Sequence, residues 1–303
     1  MDIPGNIEFL EVGPRDGLQN EKNLVSTANK LALIDRVIDA GARRIEVTSF
    51  VNLKRVPQMA DAEEVCAGLP LRDDVTFIGL VMNQRGAERA IATGRIDQLG
   101  AVAVSTDTFA MANQGQTSGE SVEAAKAIIE LARAEGRTGQ CTVAASFGCP
   151  FEGEVSEDRV IEMALAIAEA GPVEIALADT IGVANPAHVA RLVERVRQAV
   201  QPLPVRVHFH NTRNTGLANV WAAVVAGATI VDASLGGLGG CPFAPGAAGN
   251  VPSEDVVYML ERAGVRTGMA LDKLIEASNW LSGVMERKLP GMVAQAPHFP
   301  KAA

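Results

Sequence analysis

The feature that most constrains this chain is a change of hydrophobic period that repeats eight times. Short runs rich in Val and Ile lie near 7–12, 44–48, 75–81, 100–105, 140–146, 173–178, 205–210 and 229–234. Segments of helical period separate them, among them 27–40 (TANKLALIDRVIDA), 121–135, 156–170 and 187–200. A short apolar run that gives way to a 3.6-residue period marks a strand leading into a helix. Strands that alternate with helices pair in parallel, because the helix carries the chain back across the sheet. Gly41, Gly171 and Gly227 each follow the end of an apolar stripe, where a left-handed helix cap favours glycine. Eight such units predict an α/β chain folded as a closed (β/α)8 TIM barrel. An open doubly wound sheet is the alternative. Residues 253–264 are expected to form the last barrel helix.

The length agrees with this reading. A barrel of this kind takes roughly 250 residues, and the chain has 303. One catalytic domain over 1–303 is expected, with the barrel at about 6–265 and a C-terminal helical extension over 266–303. The formal charge is −9, and the Lys and Arg residues are scattered. A nucleic-acid partner needs a basic stripe, and none is visible. Cys66, Cys141, Cys149 and Cys241 lie far apart without a CxxC pair, which argues against a zinc ribbon or a disulfide framework. No apolar run approaches the roughly 20 residues that span a bilayer. The N-terminus lacks the basic-then-apolar form of a signal peptide. No membrane partner is expected, and the expected location is the cytoplasm.

In a (β/α)8 barrel, polar residues at the C-terminal ends of strands line the active face. The first strand runs into Gly13-Pro14-Arg15-Asp16-Gly17-Leu18-Gln19-Asn20. The second carries Glu46, then Thr48 and Ser49, and the sixth ends at Asp179-Thr180-Ile181-Gly182. The seventh, VRVHFHNT, is the most informative. His208 and His210 are two apart and so share a side of the strand. Arg206, His208 and His210 would face the lumen, with Val205, Val207 and Phe209 toward the helices. A pair of hydrogen-bonded core histidines is the plainer reading. With a carboxylate from Asp16 and an amide carbonyl from Asn250, the donor set is mixed nitrogen and oxygen, which favours Mg²⁺ or Mn²⁺. His188 and His298 read as ordinary surface or loop residues.

The glycine-rich stretch 236–249 has neither a P-loop pattern nor a dinucleotide fingerprint. It reads as a flexible loop that places Cys241 over the barrel mouth. A buried, inert cysteine is the other reading of Cys241. Cys66, Cys141 and Cys149 read as inert.

Taken together, these stretches resemble the 3-hydroxy-3-methylglutaryl-CoA lyase family of the DRE-TIM metallolyase superfamily. The resemblance covers roughly residues 6–290. It rests on EVGPRDGLQNE (11–21), IEVTSFVNLKRVPQMAD (45–61), FGCPFEGEVS (147–156), ADTIGVANP (178–186), HFH (208–210) and GLGGCPFAPGAAGNVPSEDVVYML (237–260). The RDG and HxH elements are superfamily-wide, whereas the long Cys-containing glycine loop is specific to the lyases. Condensing synthases of the superfamily usually carry a Glu-Arg pair where Cys-Pro-Phe stands here.

The resemblance implies a retro-Claisen cleavage of an acyl-CoA thioester by a homodimer. The metal ligands would be Asp16, His208, His210 and Asn250. Arg15 would stabilise the enolate oxygen of the departing acetyl-CoA, with Glu46 beside it. Asp16 or His208 would take the hydroxyl proton, and Cys241 would protonate the carbanion as a neutral thiol. Gln19, Ser49 and Asp179 would support the substrate. The chain departs from the family after HFH. Asn211-Thr212-Arg213-Asn214 stands where Asp-Thr-Tyr-Gly is usual, and Asp107 where Glu is usual. The Lys that commonly precedes Asn113 is also missing. Arg213 would either pair with a substrate carboxylate or be a solvated arginine at a helix start. A related thioester such as citramalyl-CoA is therefore an alternative substrate.

Overall fold

Each of the eight Val/Ile-rich runs forms a strand in the computed structural model, which describes residues 3–52, 54–240 and 249–297. The strands are β1 (Glu8–Glu11), β2 (Arg44–Ser49), β3 (Thr76–Leu80), β4 (Gln98–Val104), β5 (Thr138–Ala144), β6 (Ile175–Asp179), β7 (Val205–Phe209) and β8 (Ile230–Ala233). They pair in sequence order, all parallel, and β1 closes on β8. This closure rules out the open sheet. The helices are α1 (Thr27–Asp39), α2 (Ala62–Gly68), α3 (Gln84–Ala92), α4 (Asp107–Gln114), α5 (Ser118–Ala134), α6 (Glu157–Ala168), α7 (Pro186–Ala199), α8 (Gly216–Val225), α9 (Ser253–Arg262) and α10 (Leu271–Val284). Among the described residues, none is long and apolar enough to cross a membrane.

Local chemistry explains where the helices start. Ser26 accepts from the Asn29 N–H at the head of α1, and Asn185 does the same for His188 at α7. The α5 helix begins at Ser118, three residues before the expected 121. Thr117 and Glu120 form a reciprocal capping box there. Gly171 and Gly227 stand at φ 72° and 99° just past their helices, as the cap geometry requires.

The main apolar core lies between the strands and the outer helices. Ile45, Val47, Val205, Val207 and Phe209 enter it from the barrel side, and Leu33, Val193 and Val257 from the helices. A separate small cluster of Leu10, Val12 and Ile78 fills part of the lumen. Much of the remaining lumen is charged rather than filled by the usual branched aliphatics. Buried charge is tolerable only when paired, and here it is. Arg44 donates to Glu174 (2.6 Å) and Gln98 (2.9 Å). Arg206 donates to Glu174 (2.7 Å), to Gln140 and Thr142 (3.0 Å each), and to Asp232.

The C-terminal extension packs α10 on α1 and α9. The chain then returns to the mouth, where the Gly291 N–H donates to the Gly236 carbonyl at 3.1 Å.

Candidate active site and metal centre

The segments leaving β1, β7 and β8 build the mouth of the barrel. After β1 the chain enters a five-residue π-helical turn, Gly13–Gly17, in which the N–H groups of Arg15, Asp16 and Gly17 all reach the Val12 carbonyl. Gly17 has to be glycine, because a Cβ there would collide with Ser234 Oγ and press on Leu238. Glu11 braces this turn from outside the lumen. Its carboxylate accepts from the Gly13 N–H (2.7 Å), the Leu235 N–H (2.9 Å) and the Ser253 hydroxyl (2.6 Å). The turn after β1, the loop leaving β8 and the start of α9 are thereby joined.

Arg15 projects into the cavity between two carboxylates. Its Nε donates to Glu46 on β2, and one terminal nitrogen lies 2.5 Å from Asp16 Oδ1. Burial would raise the Asp16 pKa. Arg15, with the two histidines, outweighs it and holds the carboxyl well below the usual range. His208 ends the lumen face of β7, and His210 follows just beyond the strand, with ring centroids 5.1 Å apart. Asn250 reaches the same place because Gly249–Val251 runs beside the end of β7. The Asn211 N–H donates to the Gly249 carbonyl and the Val251 N–H to the Phe209 carbonyl. The Asn250 amide donates to Asp16 Oδ2 at 2.7 Å.

Asp16, His208 and His210 offer ligand atoms that lie within 4.8 Å of one another. The donor set fits a divalent ion on a second ground. His210 Nδ1 and Asn250 Oδ1 are buried without a hydrogen-bond partner among the described residues, which is costly unless something else satisfies them. Burial, then the neighbouring His208, lowers the His210 pKa to about 4, which keeps its imidazole neutral and able to donate a lone pair. Asp16, His208 and His210 line a cavity of about 170 Å³, together with Arg15, Gln19, Glu46, Met82, Phe109, Asn113 and Thr180, and Asn250 joins it through its hydrogen bond to Asp16.

The structure therefore brings Arg15, Asp16, Gln19, Glu46, His208, His210 and Asn250 together. Two of the expected supporting residues, Ser49 and Asp179, lie outside the cavity lining, and so does Arg213. Ser49 is fully buried behind it. The Asp179 carboxylate accepts from the Val183 and Ala184 N–H groups (2.9 and 3.0 Å), so it shapes the loop after β6. Arg213 is exposed and donates to the carbonyls of Ile181 and Gly182 at 3.0 Å. Cys241 and His298 lie outside the described residues. His188 packs on Phe147, away from the cavity.

Sequence reasoning missed Asp232 on β8, whose Oδ1 is 2.6 Å from His208 Nδ1. The available signal was a single carboxylate inside the apolar run TIVDASL at the end of a strand.

A family model described as HMGL-like matches residues 6–281. The chain belongs to the HMGL-like family. It is 42% identical to the mitochondrial hydroxymethylglutaryl-CoA lyase of Macaca fascicularis, over 97% of this chain and 90% of that one. It is also 42% identical to the (R)-citramalyl-CoA lyase of Chloroflexus aurantiacus, over 97% and 96%. An HMG-CoA lyase from Acinetobacter baumannii, solved with coenzyme A and 3-methylmalate, superposes with a TM-score of 0.92 at 40% identity, covering 98% and 96%. As a member of this HMG-CoA lyase family, the chain is an enzyme of the lyase type.

Proposed function

We propose that the chain cleaves 3-hydroxy-3-methylglutaryl-CoA to acetyl-CoA and acetoacetate in a divalent-metal-dependent retro-Claisen reaction. The observation that carries this reading is the convergence of Arg15 with Asp16, His208 and His210 on one cavity, with Asn250 hydrogen-bonded to Asp16. A divalent ion held by the last four, Mg²⁺ or Mn²⁺ from the donor set, would supply Lewis-acid polarisation of the substrate's oxygen atoms.

The residues divide the remaining tasks. The hydroxyl proton leaves to Asp16 or His208, the proton acceptors in that part of the cavity. The oxygen electron pair becomes the ketone of acetoacetate as the bond from C2 to C3 breaks. That bond's pair passes into the acetyl-CoA enolate. Arg15, clamped by Glu46 and Asp16, is a fixed cation for the enolate oxygen and needs no reorganisation as charge develops. Cys241 then delivers the proton to carbon. Gln19, whose buried Oε1 lacks a partner among the described residues, is placed to hold the thioester portion. Ser49 and Asp179 support the walls from behind. The working form is a homodimer in the cytoplasm.

The test is acetyl-CoA release from hydroxymethylglutaryl-CoA, with Mg²⁺ and again after chelation. Turnover that chelation abolishes and Mg²⁺ restores is the expected result. Absence of turnover with metal present would overturn the substrate assignment.

A second reading, cleavage of citramalyl-CoA, is favoured by the equal identity to a citramalyl-CoA lyase and by Arg213. Its guanidinium sits beside the loop that carries the cavity residue Thr180, within the segment that departs from the lyase pattern. Steady-state rates over a panel of acyl-CoA thioesters separate the two. A preference for hydroxymethylglutaryl-CoA in both the native chain and Arg213→Ala rules the second reading out.

A further inference from the structure

Two imidazoles face the cavity, and among the described residues a carboxylate is hydrogen-bonded to the Nδ1 of one of them, His208. The register that pairs Val207 with Val231 sets His208 level with Asp232 on the neighbouring strand. Their Nδ1 and Oδ1 atoms are 2.6 Å apart. Asp232 is 1% exposed, and its other oxygen accepts from Arg206. Arg206 is in turn pinned by Glu174, Gln140 and Thr142. The Asp232 carboxylate therefore cannot swing away, and as an anion it can only accept hydrogen bonds.

We infer that Asp232 is a positioning residue that fixes the His208 tautomer, with the proton on Nδ1 and the bare Nε2 turned toward the cavity, available as a lone-pair donor. A neutral imidazole carries one N–H, so a proton committed to Asp232 leaves the other nitrogen with its lone pair. The same bond sets the plane of the ring and makes the free nitrogen a stronger donor. Without Asp232, His208 can adopt the opposite tautomer, whose cavity-side N–H cannot ligate. His210 lacks such a partner among the described residues, since its Nδ1 is unpaired. Among the described residues, His208 at the end of β7 is thus oriented by the barrel interior, and His210 just beyond it has no carboxylate at its Nδ1. Arg206, two residues before His208 on that strand, is the link to the buried charge network at the barrel floor. The inference rests on the proposed metal centre and assigns the metal a dependence on a strand that contributes no ligand.

Two measurements test it on the full chain. The first is ¹⁵N NMR of the metal-free native protein at pH 8, which should show His208 protonated at Nδ1. A neutral ring with its single proton on Nε2 overturns the inference whether or not any variant folds. The second is Mn²⁺ affinity by calorimetry or EPR for the native chain and Asp232→Asn, with circular dichroism to confirm folding. Loss of an outer carboxylate partner should weaken binding about 10–100-fold. A folded Asp232→Asn chain that binds Mn²⁺ within twofold of native overturns the positioning role alone. A native chain that takes up no Mn²⁺ overturns the metal reading and this inference together.

Discussion

Asp16 and Asn250, 234 positions apart in the chain, are joined by a 2.7 Å hydrogen bond from the Asn250 amide to the Asp16 carboxylate. Closure of the barrel between β1 and β8 makes that contact possible. Glu11 reinforces it, because its carboxylate holds both the turn bearing Asp16 and Ser253, three residues beyond Asn250. The bond leaves Asn250 Oδ1 buried without a partner among the described residues.

Arg15→Lys should lower kcat by about 10²–10³-fold, the usual cost of losing a donor aimed at developing charge. Lysine has one compact ammonium and cannot bridge Glu46 and Asp16 as the guanidinium does. The acetyl-CoA release assay reads this directly, and a loss under threefold would remove Arg15 from its assigned role.

Cys241→Ser should cut turnover by at least about 10²-fold while Mn²⁺ affinity stays native, since general-acid catalysis is worth roughly 10²–10⁴. Full turnover in this variant would mean that another group donates the proton.

Glu11 gives a pH-dependent signature of stability. Burial pushes its pKa up to about 7 from an ordinary value of 4.5. The folded chain thus holds the proton more tightly than the unfolded one. The stabilising contribution is present in full below about pH 4.5 and is lost as pH rises through 7. Glu11→Gln has no proton to release there. Its stability relative to the native chain should rise between pH 5 and pH 8 by on the order of 3 kcal/mol. Urea unfolding of both proteins at the two pH values measures the difference. An unchanged difference would show that Glu11 is ionised throughout.

Phe209 lies between the two histidines and points the opposite way, into the core, with its ring 5.7 Å from Phe147. Phe209→Ala should cost about 3–5 kcal/mol in chemical denaturation. Because the same backbone carries both imidazoles, Mn²⁺ affinity should fall as well. A folded variant with native affinity would show that the strand holds its histidines without that anchor.

The range of the forces involved decided how much of this was legible in the sequence. The β7 reading succeeded because alternation along one strand is a local property. Val205, Val207 and Phe209 had to face the helices, which left Arg206, His208 and His210 for the other side. The glycine caps at Gly171 and Gly227 were legible for the same reason, since each depends on neighbouring residues only.

Asp232 and the Arg44–Glu174–Arg206 network were not legible. In sequence Asp232, Glu174 and Arg206 are single charges in apolar stretches and Arg44 one of the pair Arg43-Arg44, and which charge meets which depends on strand register around the closed barrel. Asp179 shows the converse case. It stands at a strand end as a substrate contact would, but two backbone N–H groups occupy its carboxylate. Hydrophobic period and turn chemistry, acting over a few residues, determined the order of elements and which side chains turn inward. Only closure of the sheet, a cooperative long-range event, decided which inward side chains touch, and so which histidine has a carboxylate behind it.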